Sequence, residues 1–232
     1  MLEAFYAFKE GLPVIAAANW QAASRPNHLT HAQFLEAYPK LEASAPGQNL
    51  DRRIESKGSV VVNYRVPQSG TIFVPDTSGN GYHAALVNGV VETPLGSKGH
   101  DYTLRLIATF TGAPSTFLAG PDTSFGFAPV EDGYTLAFTT SNITYPLFNY
   151  SLTDRGTSSA REIILAGTEN RTSAWIDGAH VGEFLIGIDG TDQFEPMALV
   201  APVRRLGGPG VTVHSFRLWN KLQEVSKITE YK

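Results

Sequence analysis

Apolar and polar side chains alternate along much of the chain after residue 59. In two stretches every second residue is apolar: Tyr102, Leu104, Leu106, Ala108 and Phe110 in the first, and Tyr134, Leu136 and Phe138 in the second. The intervening residues of the first stretch are polar, such as Arg105 and Thr109, with Ile107 the exception. Since successive side chains of a strand point to opposite faces, the pattern predicts antiparallel sheets with one face buried and the other largely in water.

Short turn sequences separate these stretches. Asp177-Gly178 lies between Ser173–Ile176 and Ala179–Val181, which is typical of a hairpin because a type I′ turn needs two residues that tolerate positive φ. Similar signals recur along the chain: Ser78-Gly-Asn-Gly81, Asn88-Gly89, Glu131-Asp-Gly133 and Gly207-Gly-Pro-Gly210. About a dozen short strands at such spacing predict an all-β sandwich.

The pattern is different before residue 58. Apolar residues at helical spacing occur within Ala4–Phe8, and Thr30–Gln33 has the sequence of a capping box at the start of a second helix. Between them, Leu12–Ala18 is a continuous apolar run, typical of a strand buried on both faces. The sequence therefore predicts a short α/β segment, a linker and a β domain, at residues 1–45, 46–58 and 59–232.

Composition restricts the classes of partner. With 42% hydrophobic and 17% charged residues over 232 positions, the chain is expected to bury a full core. Its net charge is −4 and no basic run is longer than the pair Arg204-Arg205, which disfavours nucleic acid and anionic membrane surfaces as partners. No run approaches the roughly 20 apolar residues that span a bilayer. Residues 1–10 do not have the pattern of a signal peptide.

Three Asn-x-Ser/Thr acceptor sequences lie close together, at Asn142, Asn149 and Asn170. Cysteine is absent, so disulfides give no indication of the compartment. The cluster of acceptor sequences favours a secreted protein that is glycosylated at these three asparagines.

Three segments resemble laminin-G-like, concanavalin-A-like domains: Phe73–Gly89, with Asp76-Thr-Ser-Gly-Asn-Gly-Tyr-His83, then Ser173–Gly178, and finally Val213–Leu222. The resemblance covers residues 59–225. It implies an all-β, concanavalin-A-like jelly-roll sandwich of two antiparallel sheets. For function it implies less, because this sandwich also occurs in lectins, glycosidases and protein-binding modules.

Asp76 has two interpretations within the first of these segments. It can organise a tight loop in which glycines supply unusual backbone angles. Alternatively its carboxylate and nearby carbonyls can bind calcium, as in many members of the resembled family. No other cofactor is predicted.

The segment Gly11–Trp20 resembles the last barrel strand of family 20 glycoside hydrolases, the β-N-acetylhexosaminidase and lacto-N-biosidase group. The resemblance implies that Trp20, with its neighbour Asn19, lines a pocket for a terminal N-acetylhexosamine, where an indole packs against the sugar ring. A packing role for Trp20 is the alternative. The adjacent Asp-Glu pair that this family uses in catalysis does not occur anywhere in the sequence.

These observations lead to three hypotheses. The first is a non-catalytic, lectin-like accessory module that binds a glycan of the galactose or N-acetylhexosamine type. The second is a subunit that completes a hexosaminidase active site with another chain, and the third is a purely structural sandwich. Tyr82 and Tyr145 are further candidates for sugar contacts, although a glycan at a neighbouring acceptor site could cover Tyr145. The sequence also leaves open whether the chain forms homo-oligomers.

Overall fold

The computed structural model describes residues 30, 32, 33 and 36, and residues 53–229 apart from 68–70, 112–115, 122, 132, 141, 148–159, 188–190 and 192. The chain divides into two compact units, Met1–Arg52 and Arg53–Lys232. In the first unit, the backbone N–H of Thr30 donates to Gln33 Oε1 at 2.9 Å, and the N–H of Gln33 donates to Thr30 Oγ1 at 3.3 Å. These reciprocal bonds confirm the predicted capping box.

The described part of the second unit contains eighteen strands and one short helix. The strands are β1 (Val60–Arg65), β2 (Phe73–Val74), β3 (Ala84–Val87), β4 (Val90–Glu92), β5 (Ser97–Lys98), β6 (Tyr102–Phe110), β7 (Thr116–Ala119), β8 (Thr123–Val130), β9 (Gly133–Thr140), β10 (Ile143–Pro146), β11 (Ala160–Gly167), β12 (Thr172–Ile176), β13 (Ala179–Glu183), β14 (Leu185–Gly187), β15 (Phe194–Pro196), β16 (Ala201–Pro202), β17 (Arg205–Leu206) and β18 (Val211–Trp219). The helix is α1 (Val225–Thr229). Among the described helical residues, no helix is long and apolar enough to cross a membrane.

Two large antiparallel sheets form the domain. One has the strand order β1-β18-β6-β11-β12-β13, and the other has the order β10-β9-β8-β7-β17-β4-β3-β2. Two small sheets, β14-β15 and β16-β5, accompany them. Residues from both large sheets belong to a single hydrophobic cluster, so the sheets face each other as the two layers of a sandwich. The predicted fold class is therefore confirmed.

The alternation in β6 sets the boundary between the core and the outer surface. Leu104 and Leu106 are fully buried and point toward the opposite sheet. Phe110 continues this face and packs edge-on against Phe127 of β8 with a ring-centroid distance of 5.2 Å. Aromatic side chains therefore join the two sheets across the core.

The second predicted alternation, in β9, differs from the structure on its polar face. Leu136 and Phe138 are buried as predicted, but Thr135 and Ala137 are buried as well. The chain that follows β10 supplies the cover, because Thr135 Oγ1 donates to the Leu147 carbonyl at 2.6 Å and the Leu147 N–H donates to the Leu136 carbonyl. A local sequence pattern does not show that a later segment closes over a strand.

The predicted hairpin at Asp177-Gly178 is confirmed. It connects β12 to β13, and its two residues have φ angles of 51° and 81°. Both angles fall in the left-handed region that a type I′ turn requires. The turn projects from the edge of the six-stranded sheet, next to the start of β11, where the Asp177 N–H donates to the Glu162 carbonyl.

Candidate functional site

The outer face of the six-stranded sheet, which points away from the core, is covered at one end. There Ile228 of α1 forms a second buried cluster with the sheet residues Ile164 and Trp219. Trp175 is half-buried and packs against the same cluster. Both tryptophans therefore contribute to packing at this end of the sheet.

The other end of this face is open and forms a groove of about 1050 Å³. Strands β1, β18, β6 and β11 supply its floor, and the β12–β13 turn supplies part of its edge. Its lining includes the side chains of Asn63, Arg65, Arg105, Ile107, Glu162, Ser215 and Arg217. Ile107, the one apolar residue among the polar positions of β6 noted above, contributes apolar surface to this floor.

Two arginines occupy neighbouring positions at the centre of the groove. Arg217 of β18 is the direct cross-strand partner of Arg105 of β6. Like charges directly opposite each other repel and destabilise a sheet unless other groups compensate. The pair is therefore an unusual arrangement for a sheet face.

Each of these arginines is held by a polar side chain on the strand beyond it. Arg105 Nε donates to Glu162 Oε1 at 2.5 Å, and both side chains are nearly buried, at 11% and 13% exposure. Arg217 Nε donates to Asn63 Oδ1 at 2.8 Å, and its guanidinium lies 5.5 Å from the centre of the Trp219 ring. Asn63 lies on β1 and Glu162 on β11, the strands that flank the β18–β6 pair, so the two guanidinium groups are held from opposite sides.

Asp177 fixes the edge of the groove. Its carboxylate accepts a hydrogen bond from Arg161 Nη1 at 2.6 Å and another from the Glu162 N–H at 2.9 Å. These bonds attach the hairpin turn to the start of β11, the strand that carries Glu162. The groove therefore has a polar rim whose side chains are oriented by bonds within the protein.

Asp76 lies in the loop before β3 and is buried, with 7% of its surface exposed. Its carboxylate accepts four hydrogen bonds: from the backbone N–H groups of Asn63, Ser78 and Tyr82, and from Ser78 Oγ, at distances of 2.7 to 3.1 Å. A carboxylate has about four lone-pair sites, so these donors saturate it. The geometry matches the loop-organising interpretation.

A calcium ion does not fit this arrangement as it stands, because the donors around Asp76 are N–H and O–H groups pointing at both oxygens. The described residues also contain no cluster of three or more acidic, histidine or cysteine side chains that could hold a metal. Calcium binding at Asp76 stays a prediction that would require these hydrogen bonds to be displaced.

The Asp76 hydrogen bonds predict a loss of stability in acid. Burial raises the pKa of this carboxyl, but the hydrogen bonds from Ser78, Asn63 and Tyr82 together outweigh it and lower the pKa below its ordinary value of 3.8. A carboxyl with a lowered folded-state pKa contributes its full stability above the unfolded pKa and loses it as the pH falls through the folded pKa. We expect the free energy of unfolding to decrease below about pH 4.

Urea denaturation at a series of pH values would measure this effect, with Asp76→Asn as the matched variant that cannot titrate. The stability difference between the wild-type protein and the variant should narrow between pH 5 and pH 3, as the pH falls through the ordinary aspartate pKa of 3.8. Parallel curves over that range would contradict the assignment.

The sugar-contact residues predicted from sequence lie away from the groove or outside the described residues. Tyr82 is half-buried against the core, and its hydroxyl donates to the Glu55 carbonyl at 2.8 Å. Tyr145 lies in β10, at the edge of the other sheet, and also packs against the core. Trp20 and Asn19, together with the segment that resembles a hydrolase strand, lie outside the described residues.

Two of the three predicted glycosylation sites fall in exposed turns. Asn142 lies in the turn between β9 and β10, with a φ of 64°. Asn170 lies in the turn between β11 and β12, where its side-chain oxygen accepts a bond from Thr168 Oγ1. Asn149 lies outside the described residues.

The groove residues carry almost no recognisable signal in the sequence. Arg105 was visible as a charged residue in the middle of a long apolar strand, which is the one local signal that pointed there. Nothing local associates it with Arg217, Asn63 or Glu162, because these residues come from different strands.

No protein-family model matches this sequence, and the curated proteins give no match either. Several solved structures have a similar chain path. Domain 4 of AbnA, a GH43 extracellular arabinanase from Geobacillus stearothermophilus solved in complex with arabinotriose, is 13% identical; the match covers 75% of this chain and 98% of that domain, with a TM-score of 0.47.

Two further structures are similar over comparable lengths. The binding domain of botulinum neurotoxin DC in complex with rat synaptotagmin II is 11% identical over 74% of this chain and 50% of that one, with a TM-score of 0.45. A Trypanosoma rangeli sialidase is 14% identical over 75% of this chain and 32% of that one, with a TM-score of 0.44. This chain thus spans half of the neurotoxin domain and about a third of the sialidase.

Proposed function

We propose that this protein is a non-catalytic carbohydrate-binding module and that the groove on the outer face of its six-stranded sheet is the sugar site. The observation that supports the proposal most directly is the set of planar polar side chains at the groove floor. Arg105, Glu162, Arg217 and Asn63 are fixed by bonds to one another, and Ile107 lies among them. Sugars present hydroxyl groups around a partly apolar ring, and sites for such ligands combine a few oriented polar groups with apolar surface.

The groove is better suited to binding than to hydrolysis. Its two carboxylates, Glu162 and Asp177, each accept a hydrogen bond from an arginine. A glycosidase needs one of its two carboxyl groups to deliver a proton to the leaving oxygen. In this groove both carboxylates instead orient cationic side chains.

Filling the groove tests the proposal. Ser215 is half-buried on the groove floor, so Ser215→Trp is expected to occupy the space that a sugar ring would take. The matched control is Thr212→Trp, an exposed position on the same strand that does not line the groove. We expect Ser215→Trp to weaken saccharide binding by at least about tenfold, equivalent to about 1.4 kcal/mol, and Thr212→Trp to leave it unchanged.

Binding would be measured by calorimetric titration with galactose, N-acetylglucosamine, N-acetylgalactosamine and a wider glycan array. These sugars include the galactose and N-acetylhexosamine types that the sequence favours. Equally strong binding by Ser215→Trp and Thr212→Trp would show that the sugar site is not in this groove. If no glycan in the array binds, the proposal is contradicted and the hypothesis of a purely structural sandwich remains.

We also propose, from the resemblance of Gly11–Trp20, that the module derives from the C-terminal part of a family 20 hexosaminidase. Turnover of a chromogenic N-acetylhexosaminide by the purified chain alone would contradict the non-catalytic assignment. Secretion and glycosylation remain part of the proposal, and the exposed positions of Asn142 and Asn170 are compatible with modification there.

A further inference from the structure

A depression of about 580 Å³ lies on the outer face of the eight-stranded sheet, on the other side of the sandwich from the groove. Its floor follows one row of cross-strand partners on β17, β7, β8 and β9: Arg205, Ala119, Ser124 and Thr139. Directly paired residues of antiparallel strands share a face. Their chain neighbours Leu118 and Phe125 belong to the core, so this row points outward. We call this depression the trough.

Small side chains leave the trough open. Ala119 lies in the middle of the row, where a larger side chain would fill the space. The loop Gly207–Pro209 forms one wall and rests closely against β7. A methyl group added at Gly208 would come within 2.9 Å of the Thr116 carbonyl oxygen, so only glycine allows this approach.

The surface of the trough combines apolar carbon with hydrogen-bonding groups. Ser124 and Thr139 are half-buried and supply hydroxyls, and the exposed Arg205 supplies guanidinium donors at one end. Ala119 and Pro121 supply the apolar surface. A sugar ring presents the matching set of groups, because it has hydroxyls around a partly apolar ring.

The rim of the trough includes Asn142, the first of the three predicted glycosylation sites. Asn142 is exposed in the turn between β9 and β10. Thr144, the third residue of its acceptor sequence, pairs with Thr139, and their hydroxyl oxygens are 3.0 Å apart. The acceptor sequence therefore continues the row of the trough floor, and a glycan on Asn142 would begin at the edge of the trough.

The trough extends away from this acceptor site. Three strand spacings of about 4.8 Å separate Thr139 from Arg205, or roughly 14 Å in all. Asn170, the other described acceptor, lies in the turn between β11 and β12 and is not among the residues that line the trough. The two asparagines thus have the same acceptor chemistry but different surroundings.

We infer that the glycan attached to Asn142 folds back onto the protein and that its first N-acetylglucosamine residues occupy the trough. The inference rests on the proposed glycosylation of Asn142 and is independent of the groove, which lies on the other sheet. Attachment uses a glycosyl diphosphate donor: the bond from the sugar C1 to the donor phosphate breaks, a bond from C1 to Asn142 Nδ2 forms, and that nitrogen loses one proton.

The test is the release of glycans from the native full chain, secreted from a eukaryotic host and treated with an endoglycosidase. Mass spectrometry would follow Asn142 and Asn170 separately. Release at Asn142 should be at least about tenfold slower than at Asn170, because cleavage follows the population of glycan that has left the trough. After denaturation the two rates should be equal. Equal rates in the native protein would overturn the inference.

Filling the trough separates a seated glycan from a merely hindered turn. Ser124→Trp should abolish the slow release at Asn142. The matched control is Ala128→Trp, on the same strand and the same face but outside the trough, which should keep the slow release. Arg205→Gln, at an exposed position, is a milder variant and should remove part of the protection. Slow release that persists in Ser124→Trp and in Arg205→Gln would overturn the inference.

The outcomes also separate this inference from the sugar-binding proposal. An Asn142 without a glycan would overturn both its predicted glycosylation and the inference, and would leave the groove untouched. Saccharide binding by the groove should be the same before and after the glycans are removed, because the trough lies on the opposite sheet.

Discussion

Replacement of Asp76 by alanine is expected to lower the free energy of unfolding by about 3–5 kcal/mol, the cost of removing a buried charged acceptor from its partners. The carboxylate satisfies three backbone N–H groups, and the variant would leave those of Asn63, Ser78 and Tyr82 without this acceptor. Such a loss is a large fraction of the 5–15 kcal/mol or so that stabilises a typical domain.

Chemical denaturation would measure the effect, with Glu92→Ala as the control because Glu92 is an exposed carboxylate on β4. The control should stay within about 0.5 kcal/mol of the wild-type protein. A loss below about 1 kcal/mol for Asp76→Ala, the value of one ordinary hydrogen bond, would show that the carboxylate does not organise the loop.

The Asp76 loop is connected to the candidate sugar site. Asp76 accepts the N–H of Asn63, and Asn63 Nδ2 donates to Thr77 Oγ1 at 2.6 Å in the same loop. Asn63 in turn accepts the bond from Arg217. The loop therefore orients a groove residue, so Asp76→Ala should also weaken saccharide binding in the fraction of protein that remains folded.

Gly167→Ala is expected to destabilise the domain by about 2–3 kcal/mol, a typical cost of overfilling a packed core. Gly167 of β11 pairs with Tyr102 of β6, and a methyl group added at Gly167 would overlap the Tyr102 ring. The Tyr102 side chain is fully buried and has little room to move. The melting temperature should fall by about 2–4 °C for each kcal/mol lost.

Gly58→Ala is the matched control, because a methyl group there would contact nothing within 4 Å. It should be neutral or stabilising by a few tenths of a kcal/mol, through a lower entropy of the unfolded chain. The double variant Gly167→Ala/Tyr102→Leu should recover part of the loss if the overlap is its cause. Equal stability of the two alanine variants would contradict the predicted close approach.

The sequence predicted those parts of the fold that depend on neighbouring residues. Alternation in β6 identified its buried face, and Asp177-Gly178 identified a hairpin because few residues adopt two consecutive positive φ angles. Thr30 and Gln33 predicted a helix start, because their reciprocal bonds span only three residues. Asp76 was recognised within a loop signature, where its calcium and structural roles could not be separated.

The candidate site, by contrast, was decided by tertiary structure. Asn63 and Arg217 meet across 154 positions of sequence, and Arg105 and Glu162 across 57. The strand order β1-β18-β6-β11 places these side chains on one face, and among the described residues α1 covers one end of that face. The sequence alone thus determined the strands, their buried faces and their turns, which depend on local periodicity and backbone preference. Strand pairing over long separations decided where the charges meet, because alternation assigns a side chain to a face without specifying its neighbours.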